Sequence, residues 1–128
     1  MNKEMKDHVR EFEQYLPLAK SISSSDAEKR ASKFLEAMAV ITEYRHQLSE
    51  EKIKALTVQS ATYSEQLSQG TASTITANKV TAEASPEYIA AREDLERLEN
   101  DISYLKAFYE IYNNSHIFYR TMAKSESF

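Results

Sequence analysis

Cysteine is absent from this 128-residue chain. That removes disulfides, thiolate metal sites and a cysteine nucleophile, and it suits a reducing cytosol. Glycine occurs once and proline twice, which counts against a sheet-rich fold and favours long helices. No apolar run reaches the roughly 18 residues that a membrane span needs. Residues 1–10 are polar and lack an apolar h-region, so a signal peptide is not expected and a cytoplasmic location is. The motifs of catalysis are missing too: there is no glycine-rich phosphate loop, no H-E-x-x-H and no G-x-S-x-G. Neither an enzyme, a cofactor nor a metal centre is expected.

Charge and aromatic rings are plentiful. The net charge of −4 provides no whole-protein field favouring nucleic acid. Residues 1–63 carry ten basic and ten acidic side chains, whereas residues 64–128 carry six and ten. The excess lies in Glu87, Glu93, Asp94, Glu96, Glu99 and Asp101, best read as a solvated helix face.

The chain is organised around residues 86–124, read as one long helix. Tyr88, Ala91, Leu95, Leu98, Ile102, Leu105, Tyr109, Tyr112, His116, Tyr119 and Ala123 form a seam with the alternating three- and four-residue spacing of a coiled coil. A second row runs through Tyr104, Phe108, Ile111, Ser115, Phe118 and Met122. A helix apolar on two faces needs partners on both sides.

The remainder predicts two more helices. Residues 3–16 place Met5, Val9, Phe12 and Leu16 on one face, and Pro17 ends that helix. A polar linker at Ser21 to Ser25 leads into a helix over residues 26–65, opened by a Ser25–Glu28 capping box. Its face is Ala27, Ala31, Phe34, Met38, Ile41 and Leu48, interrupted by Arg45, with Lys52 on the same row. The row then shifts to Ile53, Leu56, Tyr63 and Leu67, a stutter, with a kink near Ser49 as an option. Residues 66–85, polar and holding Gly70, read as a flexible loop, with a hairpin through Asn78 and Lys79 as the minority option. Ser85 as N-cap and Pro86 at the first helical position start the last helix.

The expected fold is therefore all-α: a long antiparallel helical hairpin with a short N-terminal helix, assembled into a bundle or ring. A lone hairpin cannot cover both rows, and each wet aromatic or aliphatic side chain forfeits roughly 1.5–3 kcal/mol. Tyr104, Phe108, Ile111, Phe118 and Met122 are accordingly the expected homo-oligomer interface.

Candidates for chemistry are few. His8, His46 and His116 lie far apart, and His116 on the seam reads as a hydrogen-bonded interface histidine rather than a catalytic base. Glu93, Glu96 and Glu99 have no Glu-x-x-His partner and read as a solvated stripe rather than metal ligands. The last helix interleaves its rings with Lys106, Arg120 and Lys124, a pattern that can stack single-stranded bases, although the seam claims most of those rings. The better nucleic-acid candidates are Lys29, Arg30 and Lys33, and Lys52 and Lys54. Repeated around a ring, a few lysines per subunit form a track for phosphates.

Ser32, Phe34 and Leu35, then Lys52, Ile53, Lys54, Ala55 and Leu56, then Ala61, Thr62, Tyr63 and Ser64 follow in order. A polar loop comes next, and the aromatic terminal helix closes on Ile117, Phe118, Tyr119 and Arg120. This layout resembles the phage recombination mediators of the UvsY type. Those are small, helical, ring-forming proteins that bind single-stranded DNA and help load a RecA-like recombinase in place of a single-strand-binding protein. Where that family places basic residues just before its tyrosine–serine, this chain has Thr57 and Gln59, and Lys52 and Lys54 stand in one to two turns earlier. The resemblance implies a non-enzymatic mediator acting as an oligomer on single-stranded DNA, with a recombinase and a single-strand-binding protein as partners. The opposing reading is a coiled-coil structural or inhibitory protein, for phage assembly or counter-defence, that binds only protein.

Overall fold

The computed structural model describes residues 1–17 and 22–125, and the described residues form four α-helices and no strand. These are α1 (Lys3–Glu13), α2 (Ser24–Ser68), α3 (Ile75–Glu83) and α4 (Pro86–Ser125). The fold is all-α. Two compact units divide the chain, Met1–His46 with Ser103–Phe128, and Gln47–Ile102. The absence of glycine and proline from residues 24–68 and 87–125 lets α2 and α4 run long enough to contribute to both.

In the first unit, α1 packs with the opening of α2 and the end of α4. The Asn2 side chain caps α1 by accepting from the Met5 N–H at 2.9 Å. Met5 and Val9 are buried and Phe12 is half-buried, the face expected from the spacing. The helix stops at Glu13, short of the expected residue 16. The Tyr15 and Leu16 N–H groups turn back to the Phe12 and Glu13 carbonyls, at 3.1 and 3.3 Å, before Pro17. The α2 and α4 stretches run antiparallel here: Ser24 donates to the Ala123 carbonyl at 2.9 Å, and Phe34 packs on Tyr112 and Tyr119. The core is a ring cluster of Phe12, Phe34, Tyr112 and Tyr119 extended by Ile41 and Leu105.

The start of α2 corrects one expectation. The cap is Ser23, whose hydroxyl accepts from the Asp26 N–H at 3.1 Å, and the Ser25–Glu28 box does not form at the terminus. Ser23 and Asp26 offer the same spacing two residues earlier, and starting there lets Ser24 reach α4. Of the linker read at Ser21 to Ser25, Ser21 lies outside the described residues, and Ser24 and Ser25 are helical.

In the second unit α2 stays helical through Ser49, without the break considered there. The expected stutter is absent as well. The row continues in phase through Leu48 and Ala55, both buried, with half-buried Lys52 between, while Ile53 is 65% exposed and Leu56 is also exposed. Lys52 tolerates the row because its stem can lie along apolar surface while its ammonium reaches Glu99, 3.7 Å away. Tyr63 meets the Tyr88 ring at 5.5 Å, so this pairing is antiparallel too.

The loop expected over residues 66–85 is corrected most. It contains α3, and the hairpin through Asn78 and Lys79 does not exist. The Thr74 hydroxyl caps α3 by accepting from the Ala77 N–H at 3.1 Å. Its β-branched Ile75 and Val80 face solvent, and Ala82 is its buried residue. Asn78 clasps the preceding turn: its carbonyl accepts from the Ala72 N–H at 2.9 Å, and its amide donates to the Ala72 carbonyl at 3.3 Å. Ser85 is the N-cap of α4 as expected, accepting from the Tyr88 N–H at 3.2 Å.

Candidate functional site

The α4 seam is buried or half-buried at every position from Tyr88 to Ala123. The second row behaves differently. Tyr104, Ile111 and Phe118 sit seven residues apart and are 44%, 40% and 41% exposed. Phe108 and Met122 are half-buried between them, and Ser115 is buried, its hydroxyl donating to the Ile111 carbonyl at 2.8 Å. All five expected interface residues thus lie on one stripe of the first unit, three of them open to solvent. Such a stripe has the spacing of an a/d face.

The first group of cations is partly engaged inside the unit. The Arg30 guanidinium donates to the Tyr119 hydroxyl at 3.1 Å, and that hydroxyl donates to the Tyr15 carbonyl at 2.8 Å. The Lys33 ammonium donates to the Tyr15 hydroxyl at 3.2 Å and stands 4.2 Å from the centre of its ring. Arg30 and Lys33 therefore fasten the turn after α1 to α2 and α4. Lys29 is exposed. The sequence reading missed this role because Tyr15, outside any seam, gave no periodic signal.

The second group belongs to the other unit. Lys52 pairs loosely with Glu99, and exposed Lys54 lines a groove that it shares with Glu51, Asp94 and Arg97. Residues 47–102 carry five basic and ten acidic side chains, so the whole net negative charge of the protein falls in this unit. The remaining residues hold eleven basic against ten acidic. A phosphate approaching Lys52 or Lys54 meets that acidic excess within the same unit.

The seam histidine is hydrogen-bonded: His116 Nδ1 lies 2.8 Å from the Ala31 carbonyl oxygen and donates to it. Glu96 faces Arg92 at 3.8 Å as an exposed pair, and exposed Glu99 faces half-buried Lys52. Among the described residues no cluster of three or more histidine, cysteine, aspartate or glutamate side chains could hold a metal, and no helix is long and apolar enough to cross a membrane. Comparisons with protein-family models, with curated proteins and with solved structures found no match for this chain.

Proposed function

We propose that this chain acts as a non-enzymatic assembly of copies joined through the outer row of α4. The observation that carries the proposal is the exposure of Tyr104, Ile111 and Phe118 at heptad spacing on an otherwise ordered helix. The specific role assigned to the assembly is recombination mediator. Copies arranged around a rim gather exposed lysines into a track for single-stranded DNA, and a recombinase is loaded there in place of a single-strand-binding protein. Support comes from Lys29 and Lys54, both exposed, and from exposed Lys106 and Arg120 on α4.

One observation favours the second reading, an assembly that binds only protein. Arg30, Lys33 and Lys52 already have intramolecular partners, and Lys52 and Lys54 stand in the acidic unit. Titration of a labelled oligonucleotide across salt separates the two. Under the mediator reading the assembly binds at low salt, affinity falls steeply as salt rises, and replacing Lys52 and Lys54 by Ala flattens the slope. Failure of the wild-type assembly to bind at low salt removes the mediator role and leaves the protein-binding one.

A further inference from the structure

Three helices of the second unit meet around a cavity of about 190 Å³, lined by Gln59, Ser60 and Tyr63 of α2, Glu83 of α3 and Tyr88 of α4. Tyr63 and Tyr88 are half-buried. Their ring centres stand 5.5 Å apart at an interplanar angle of 53°, so the rings form a corner rather than a stack. The one charged group in this lining is the Glu83 carboxylate, exposed and, among the described residues, held by no ion pair. Lys79, exposed one turn earlier on α3, is not paired with it. The carbonyl end of α3 and the N–H end of α4 adjoin at Ala84 and Ser85. Their partial charges oppose each other, which leaves Glu83 as the deciding charge.

We infer that this cavity binds a quaternary ammonium head group. The face of a tyrosine ring is electron-rich and attracts a cation placed over it. In the first unit the chain's own cations take such places, Arg30 over Tyr119, Lys33 over Tyr15 and Arg45 over Tyr109. Among the described residues none does so at Tyr63 or Tyr88, and the carboxylate beside those rings repels an anion. A metal ion is a poor occupant, because the lining offers one carboxylate and no histidine or cysteine. A primary ammonium is compact and strongly hydrated, so it loses more on leaving water than a methylated one does. Size fixes the rest. Sites for whole drug-sized ligands occupy roughly 300–1,000 Å³, so this smaller cavity takes the head and leaves the remainder of the ligand outside.

The test titrates the full chain, followed by amide chemical shifts, with choline, with 3,3-dimethylbutanol and with ethanolamine. The alcohol keeps the shape of the head without its charge, and ethanolamine keeps the charge without the methyl groups. Choline should shift residues 59–63 and 83–88 and saturate at roughly millimolar concentration, as fits so few contacts. The other two should bind at least about fivefold more weakly. Glu83→Gln and Tyr63→Leu should each weaken choline by about threefold or more. Glu87→Gln, which removes the same charge from exposed α4 surface outside the cavity, should leave it within about twofold. A peptide bearing trimethyllysine carries the same head. Tighter binding than choline assigns the head to a modified protein, and equal binding assigns it to a free small molecule; either supports the site. The proposal is overturned if choline gives no saturating shift at these residues below about 100 mM. It is also overturned if the alcohol or ethanolamine binds as tightly, or if Glu83→Gln has no greater effect than Glu87→Gln. None of these outcomes depends on DNA binding or on assembly.

Discussion

Tyr112 carries a hydroxyl into the centre of a ring cluster, fully buried and without a hydrogen-bond partner. Burial pushes its ionisation far above the ordinary tyrosine range, so it remains a neutral, unsatisfied donor. A buried polar group left unpaired costs about 1–3 kcal/mol, while the ring itself packs against Phe12, Phe34 and Phe108. Tyr112→Phe keeps the packing and removes the penalty. It should raise stability by about 1 kcal/mol and the melting temperature by a few degrees, read by thermal circular dichroism. A loss of stability would mean that the hydroxyl is satisfied after all.

His8 sets a pH dependence from the same cluster. Burial against Phe12, Tyr44 and Tyr112 lowers its pKa from the ordinary 6.5, outweighing the upward pull of Glu11 and Glu4. Lys3 and Asp7 also line its groove. The unfolded chain therefore takes up the proton first. The neutral ring's contribution is intact above the unfolded value and drains away as pH falls through the lower folded one. Melting temperature should drop as pH falls below the ordinary 6.5 and through the lowered folded value, and His8→Phe should make that drop shallower. An unchanged profile in His8→Phe would assign the dependence elsewhere. At this scale the sequence was legible where a side chain lay on a seam: His116 reads correctly from its position alone. His8, off any noted row, was silent because its burial depends on α1 docking to two distant stretches.

At the scale of the element, α4 was readable position by position because its large residues recur without interruption. For α2 the reading erred where size misled. Ile53 and Leu56 outrank Ala55 in hydrophobicity, yet the seven-residue spacing from Ile41 through Leu48 places Ala55 inside and leaves the larger two outside. For α3 the polar composition of residues 66–85 concealed the signal, a threonine cap followed by a stretch with no glycine or proline before Pro86. The turn before α3 depends on Gly70 for space rather than for backbone conformation. A Cβ there would lie 2.6 Å from Asn78 Oδ1 and 3.1 Å from Asn78 Cβ. Gly70→Ala should therefore break the clasp of Asn78 on Ala72 and speed amide exchange across residues 72–78, as should Asn78→Ala. With Ala82 as its buried anchor, α3 itself should exchange faster than the middle of α2 in the wild type. Equal exchange in Gly70→Ala and wild type would show that the clasp does not hold the turn.

At the scale of the whole molecule, the outer row of α4 is the feature on which the proposed assembly rests. The row from Tyr104 to Met122 is about 27 Å long at 1.5 Å per residue, enough for about two and a half heptads against another helix. Covering its open side chains returns roughly 1.5–3 kcal/mol for each one fully buried, less where exposure is only partial. Phe108 is a poor site for testing this, because it is half-buried against Tyr112 and a charge there would damage the core. Ile111 and Phe118 are more exposed than Phe108, so aspartate at both positions falls mainly on an external contact. Ile111→Asp with Phe118→Asp should keep wild-type helicity while native mass falls from oligomer to monomer at micromolar concentration. If the mediator role is right, oligonucleotide binding should vanish in the same variant. Each exposed lysine is screened within about 10 Å at 0.1 M salt and is weak alone, so the track exists only when copies are gathered. A double variant that retains the wild-type mass would place the subunit contact elsewhere. One that becomes monomeric yet binds the oligonucleotide as before would separate assembly from DNA binding and refute the track formed by gathered copies.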